Sequence, residues 1–158
     1  MFVEVVTNVK SALCGLPSVQ GFLGVDSRSA AALRVHLWDA DDTEGADNNP
    51  PRLILSLDAT TLDWRAGRLS GTCRLPLVVD LVPDESCETL REQAVWFWTQ
   101  MSLLQADLTR NRNSSGGLLL ESLSLEVPGG PVLRESVPAG IDLDTWWTAQ
   151  LMMEVSTS

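Results

Sequence analysis

The chain of 158 residues contains no tyrosine and a single histidine, and it is poor in positive charge. Lysine and arginine total 11 against 21 aspartates and glutamates, which gives a formal net charge of −10. Proteins that bind nucleic acid regardless of its sequence need clustered cations, because those cations displace phosphate counterions. The charge therefore argues against this class of partner, and no specific nucleic-acid binding is expected.

Cysteines and long apolar runs are scarce as well. The three cysteines, Cys14, Cys73 and Cys87, are odd in number and show no CxxC spacing, so we expect reduced, partly buried thiols and no disulfide framework. No run approaches the roughly 20 apolar residues of a membrane span. The first ten residues include Glu4 and lack a basic start, so a signal peptide is not expected.

Motifs that carry chemistry are also missing. The sole histidine, His36, lies on the polar side of a candidate strand, with no second histidine or suitably spaced cysteine to join it. A catalytic or zinc site needs several converging groups, so we predict an ordinary surface histidine. The sequence shows no GxSxG, HExxH or phosphate-loop motif. We predict no catalytic residue, no metal and no cofactor, and we do not expect an enzyme.

An acidic insertion occupies residues 39–51, with carboxylates at Asp39, Asp41, Asp42 and Glu44. Carboxylates at alternate positions suit calcium, but Glu44 stands where an EF-hand requires glycine, and a proline stands where it requires glutamate. We predict a solvated loop, which could face a basic partner.

Hydrophobic periodicity outlines the secondary structure. An N-terminal helix that ends at Gly15 and Pro17 is predicted from apolar residues at helical spacing. These residues are Phe2, Val5 or Val6, Val9, Leu13 and Leu16. Glycines at positions 21 and 24 then predict a loop. Strands are expected over Ala32–Trp38, from Arg52, and over Thr72–Val82, where Leu75, Leu77, Val79 and Leu81 share one face.

The second half predicts a long helix and two further strands. Asp84 is expected to open the helix, whose apolar stripe comprises Cys87, Leu90, Ala94, Phe97, Met101, Leu104 and Leu108. A strand over Leu118–Val127 follows, and PGGP is expected to end it, leaving residues 128–145 as a long connection. In the last strand, Trp147, Ala149, Leu151, Met153 and Val155 share one face.

These elements predict an α+β fold in a single domain over residues 1–158. The expected sheet is mixed, mostly antiparallel and four to five strands wide, with the N-terminal helix and the long helix packed on it. The strand–helix–strand unit could place Thr72–Val82 beside Leu118–Val127.

Tryptophan is abundant, with six residues. Trp96 and Trp98 flank the core residue Phe97 on the long helix, and Trp146 and Trp147 face opposite sides of the last strand. One ring of each pair can be core, while the other belongs either to an extended core or to a partner interface, where tryptophan is enriched. We predict a subunit interface that involves Trp96, Trp98 and Trp146.

The order of elements resembles that of the tail-terminator and tail-completion proteins of long-tailed bacteriophages. MFVEVVTNVKSALCGL looks like their opening helix, RLILSLD and TCRLPLVVDLVPDESCETLREQAVWFWTQM like the central strands leading into the long helix, and LLLESLSLEV and TWWTAQLMMEVS like the closing strands. The resemblance covers most of the chain, and it rests on pattern without an invariant motif.

The resemblance implies a structural virion protein that caps the tail tube as a ring of identical subunits, taken here to be a hexamer, and that forms part of the head–tail connection. It implies contacts with the tail-tube protein and with head-completion or connector proteins, assembly in the host cytoplasm, and a channel through which DNA passes. Negative charge would suit such a channel. The alternative is a small cytosolic acidic adaptor or binding module that uses the 39–51 loop, and a hydrolase or metal enzyme is the third reading.

Overall fold

The computed structural model describes the backbone of residues 2–37, 49–56, 63–65, 68–110, 118–132 and 146–157. Within these ranges the helices are α1 (Phe2–Cys14), α2 (Pro17–Leu23), α3 (Arg28–Ala32) and α4 (Leu90–Arg110), and the strands are β1 (Val35–Leu37), β2 (Arg52–Leu55), β3 (Asp63–Arg65), β4 (Arg68–Leu81), β5 (Leu118–Val132) and β6 (Trp146–Thr157). The predicted α+β fold, with an N-terminal helix and a long helix on a mixed sheet, is confirmed.

The strands form a sheet in the order β1-β2-β4-β6-β5, and β3 pairs with the start of β4. Strands β1 and β2 are parallel, and every other pair among the described strands is antiparallel. The prediction that the strands before and after the long helix lie side by side is wrong, because β6 lies between them. The last strand of the chain therefore sits inside the sheet and not at its edge.

One face of this sheet shares a hydrophobic core with all four helices. Alternate residues of β4 and β6 are buried there, as their period predicted: Leu75, Leu77, Val79, Leu81, Trp147, Ala149, Leu151, Met153 and Val155. Helix α1 contributes its predicted stripe through Val5, Val6, Val9 and Leu13. Because burying such a side chain fully contributes about 1.5–3 kcal/mol, this shared core fixes the helices on the sheet.

The opposite face of the sheet is also partly buried. Arg52 and Asp80 lie opposite each other on β2 and β4, and their side chains form an ion pair with Nε and Oδ2 2.8 Å apart. Asp80 and Met152 are buried, and so is His36, which is only 2% exposed. The prediction of a surface histidine is therefore wrong: the strand turns His36 away from the helices, but this face is not open to solvent there.

Two short helices replace a predicted loop in the N-terminal third. Helix α2 runs through Gly21 and ends where Gly24 adopts a left-handed φ of 71°, a conformation that glycine accepts without strain. Helix α3 is capped by Ser27, whose Oγ accepts the backbone N–H of Ala30 at 3.1 Å. Because this helix runs through Ala32, the strand predicted from that residue begins only at Val35.

The PGGP segment does not end β5, contrary to the prediction. Gly130 pairs with Thr148, and Pro131 pairs with Trp147, so the strand continues to Val132 and shortens the predicted 128–145 connection. Proline lacks the backbone donor that a central strand needs, but it is tolerated at a sheet edge. Strand β5 is the edge strand in the described order, and register shifts at three places loosen its pairing with β6.

Candidate functional site

The long helix α4 begins after Thr89 and not at Asp84, so the predicted start is wrong. The Thr89 Oγ1 accepts the N–H of Glu92 at 3.1 Å, and the Glu92 carboxylate accepts the N–H of Glu88 at 2.7 Å. This reciprocal arrangement is close to a capping box, whose Thr-x-x-Glu signature is visible in the sequence. Asp84 instead accepts the N–H of Ser86 at 3.0 Å, in the turn that precedes the helix.

The inward face of α4 confirms most of the predicted stripe. Phe97, Met101 and Leu104 are buried, and Ala94 and Leu108 pack against the core. Cys87 lies before the helix, and Leu90 is 61% exposed in its first turn, so these two predictions are wrong. These predictions are wrong because the helix starts later than predicted, and its apolar contacts with the core begin one turn after its first residue.

A run of aromatic rings connects the sheet to the surface of α4. The Phe97 ring lies 5.6 Å from the ring of Trp147 on β6, and the Trp147 Nε1–H donates to the Gln93 Oε1 at 3.0 Å. Phe97 also meets the Trp98 ring edge-on, with the ring centroids 5.4 Å apart. Such pairs are favourable beyond the area they bury. The partly exposed Trp98 ring is therefore connected to the core through Phe97.

The outward surface in the middle of α4 is uncharged and rich in apolar side chains. No residue from Gln93 to Ala106 carries a charge, although the chain as a whole is strongly acidic. Five exposed residues of this stretch share one side of the helix, and we call them the α4 outer face: Val95, Trp98, Thr99, Ser102 and Leu103. Val95 is 62% exposed, Leu103 is 50% exposed and Trp98 is 38% exposed. A solvent-facing helix surface normally carries charges, so this face has the character of a contact surface.

The hydroxyl groups of this face are satisfied within the helix. The Thr99 Oγ1 donates to the Val95 carbonyl at 2.7 Å, and the Ser102 Oγ donates to the Trp98 carbonyl at 2.9 Å. Because such back-bonded hydroxyls use their donors inside the helix, covering them leaves no donor unsatisfied. A partner can therefore bury this face with little free-energy cost from unsatisfied polar groups.

A groove of about 470 Å³ opens at the N-terminal end of α4, lined by Thr89, Arg91, Glu92, Val95 and Trp96. The Trp96 side chain is half-buried and packs against the core while it lines the groove. Val95 belongs to both surfaces, so the groove is continuous with the α4 outer face.

The structure separates the predicted interface residues onto two surfaces. Trp98 lies on the α4 outer face, and Trp96 lies in the adjoining groove. Trp146 is half-buried at the start of β6, and strand alternation turns it away from the core side that holds Trp147. The acidic loop residues Asp39, Asp41, Asp42 and Glu44 lie outside the described residues.

Sequence reasoning missed two exposed apolar residues of this helix, Val95 and Leu103. Both fall outside the buried stripe, and single apolar residues on a surface are common and carry little signal. The signal that could have identified them was the absence of charge from Gln93 to Ala106.

Near its C-terminal end, α4 holds a buried carboxylate, Asp107, that caps another helix. Its Oδ2 accepts the backbone N–H of Ser18 in the first turn of α2 at 2.8 Å, and its Oδ1 lies 3.6 Å from the Arg110 Nη1. Burial by itself would raise the pKa of Asp107, but hydrogen bonding from Ser18 and the nearby guanidinium lower it on balance. Asp107 is not part of the apolar stripe predicted for α4. Its capping role depends on a contact between residues far apart in the chain, so the sequence did not predict it.

We expect Asp107→Asn to lower the free energy of unfolding by about 1 kcal/mol at pH 7, because a charged cap at a helix N-terminus is lost. A carboxyl group whose pKa is lowered by folding stabilises the protein above its unfolded pKa, and this contribution disappears as the pH falls through its folded pKa. The difference between variant and wild type should therefore decrease as the pH falls below about 4. Urea unfolding at pH 7 and at pH 3 measures it.

The matched control for Asp107→Asn is Asp84→Asn. Hydrogen bonding from Ser86 lowers the pKa of Asp84 as well, but this carboxylate is fully exposed. Its replacement should change stability less than that of Asp107 at pH 7. An equal loss in both variants, or a loss at Asp107 that does not depend on pH, would contradict the capping role.

The cysteines and other metal-binding side chains form no cluster in the part of the chain that the structure describes. Cys14 and Cys73 are buried, Cys87 is half-buried and all three are free, as predicted. Burial raises the pKa of both buried thiols, and at Cys14 it outweighs the opposing effect of Lys10 and Arg28. No group of three or more His, Cys, Asp or Glu residues within the described ranges could hold a metal ion. No described helix is both long and apolar enough to cross a membrane.

The chain matches no protein-family model and no curated protein. The resemblance to phage tail-terminator proteins therefore stays a prediction from the order and pattern of the elements.

Proposed function

We propose that this protein is a structural virion protein of the tail-terminator type, which caps the tail tube of a long-tailed phage as a ring of identical subunits. In this proposal it has no catalytic activity and no cofactor. Its partners are copies of itself, the tail-tube protein and the proteins that join the head, and its location is the head–tail junction. DNA passes through the ring without being bound specifically.

The α4 outer face is the observation that carries this proposal. A chain with a net charge of −10 repels its own copies, and an uncharged surface is where two of them can meet without opposing like charges. Trp98 and Leu103 supply apolar area to such a contact, and exposed tryptophan is enriched at the centres of interfaces. Trp98 also contacts the Phe97 ring, so its side chain would lose little conformational freedom on binding.

A ring needs two different contact surfaces on each subunit, because its interfaces are heterologous. The placement of Trp98 on the helix side and Trp146 on the opposite side of the sheet agrees with this requirement. The acidic composition also agrees with a channel through which DNA must slide without adhering. These features support the ring, and they do not depend on the pattern resemblance.

The direct test is to measure the mass of the purified protein by sedimentation across micromolar concentrations, with and without assembled tail tubes. We expect a closed oligomer, or a monomer that assembles as a ring on the end of a tube. Ring formation on tubes would be visible by negative-stain electron microscopy. A protein that stays monomeric and does not bind tubes would contradict the proposal, and capture of a basic partner by that monomer would favour the adaptor alternative.

A further inference from the structure

We draw no further inference here: the strongest candidate, the groove beside Val95 and Trp96 at the N-terminal end of α4, is lined in the described part of the chain only by that end of the helix, and nothing in the structure shows what covers it.

Discussion

Replacing Trp98 and Leu103 together by glutamine is expected to weaken self-association of this protein by about 100-fold or more. Both side chains lie on the α4 outer face, where Trp98 is 38% exposed and Leu103 is 50% exposed in the isolated subunit. Truncating a central interface tryptophan costs about 2 kcal/mol or more, and each 1.4 kcal/mol corresponds to a factor of about ten. Sedimentation equilibrium of wild type and variant across a concentration series measures the change.

Stability should change less than association in this variant, because both side chains are partly exposed in the isolated subunit. The matched control keeps the same positions apolar through Trp98→Phe with Leu103→Met, and it should retain most of the association. If the glutamine variant assembles as well as the wild type, the α4 outer face is not the contact surface. If the control also loses assembly, the contact depends on the exact shape of these side chains more than on their apolar character.

The second large effect is expected for Phe97→Ala, which should lower the free energy of unfolding by about 3–5 kcal/mol. Phe97 is fully buried, and its ring packs against the rings of Trp98 and Trp147. Its removal leaves a cavity between α4 and the sheet, and packed side chains relax only partly into such a space. Urea unfolding at a concentration where the protein is not assembled gives the value, and the melting temperature should fall by on the order of 10 °C.

Trp98→Ala is the matched control on the neighbouring residue. It removes a larger ring from the same helix, but that ring is 38% exposed and its loss opens no enclosed cavity. We expect it to cost less than Phe97→Ala, since a partly exposed ring loses fewer buried contacts when it is truncated. Equal losses for Phe97→Ala and Trp98→Ala would show that the aromatic run is buried differently from the arrangement described above.

Periodicity identified the elements whose residues face the core. The alternation from Leu75 to Leu81 and from Trp147 to Val155 predicted two strands with one buried face, and both are confirmed. The inward stripe of α4 was predicted from Cys87 to Leu108, and its part from Ala94 to Leu108 is confirmed, because burial there follows the geometric repeat of the helix. These patterns succeed where a residue's environment is set by its own helix or strand.

The predictions are wrong where the end of a helix or strand, or a neighbouring element, determines a residue's environment. The start of α4 depends on the Thr89 cap, whereas Asp84 lies in a turn before the helix. The continuation of β5 through Pro131 depends on its place at the sheet edge. His36 follows the predicted alternation, yet it is buried because its side of the sheet is not open to solvent there.

The sequence by itself therefore determined that this is an acidic α+β protein, which residues form its core, and that it has more tryptophan than one buried face can use. Only the tertiary structure decided that β6 lies inside the sheet, that Asp107 caps α2, and that Trp98 and Trp146 lie on different surfaces. The physical reason is the separation along the chain of the residues that interact. Periodicity reports how a segment divides its own faces, whereas strand order, caps between helices and shared surfaces arise from contacts between segments far apart in the chain.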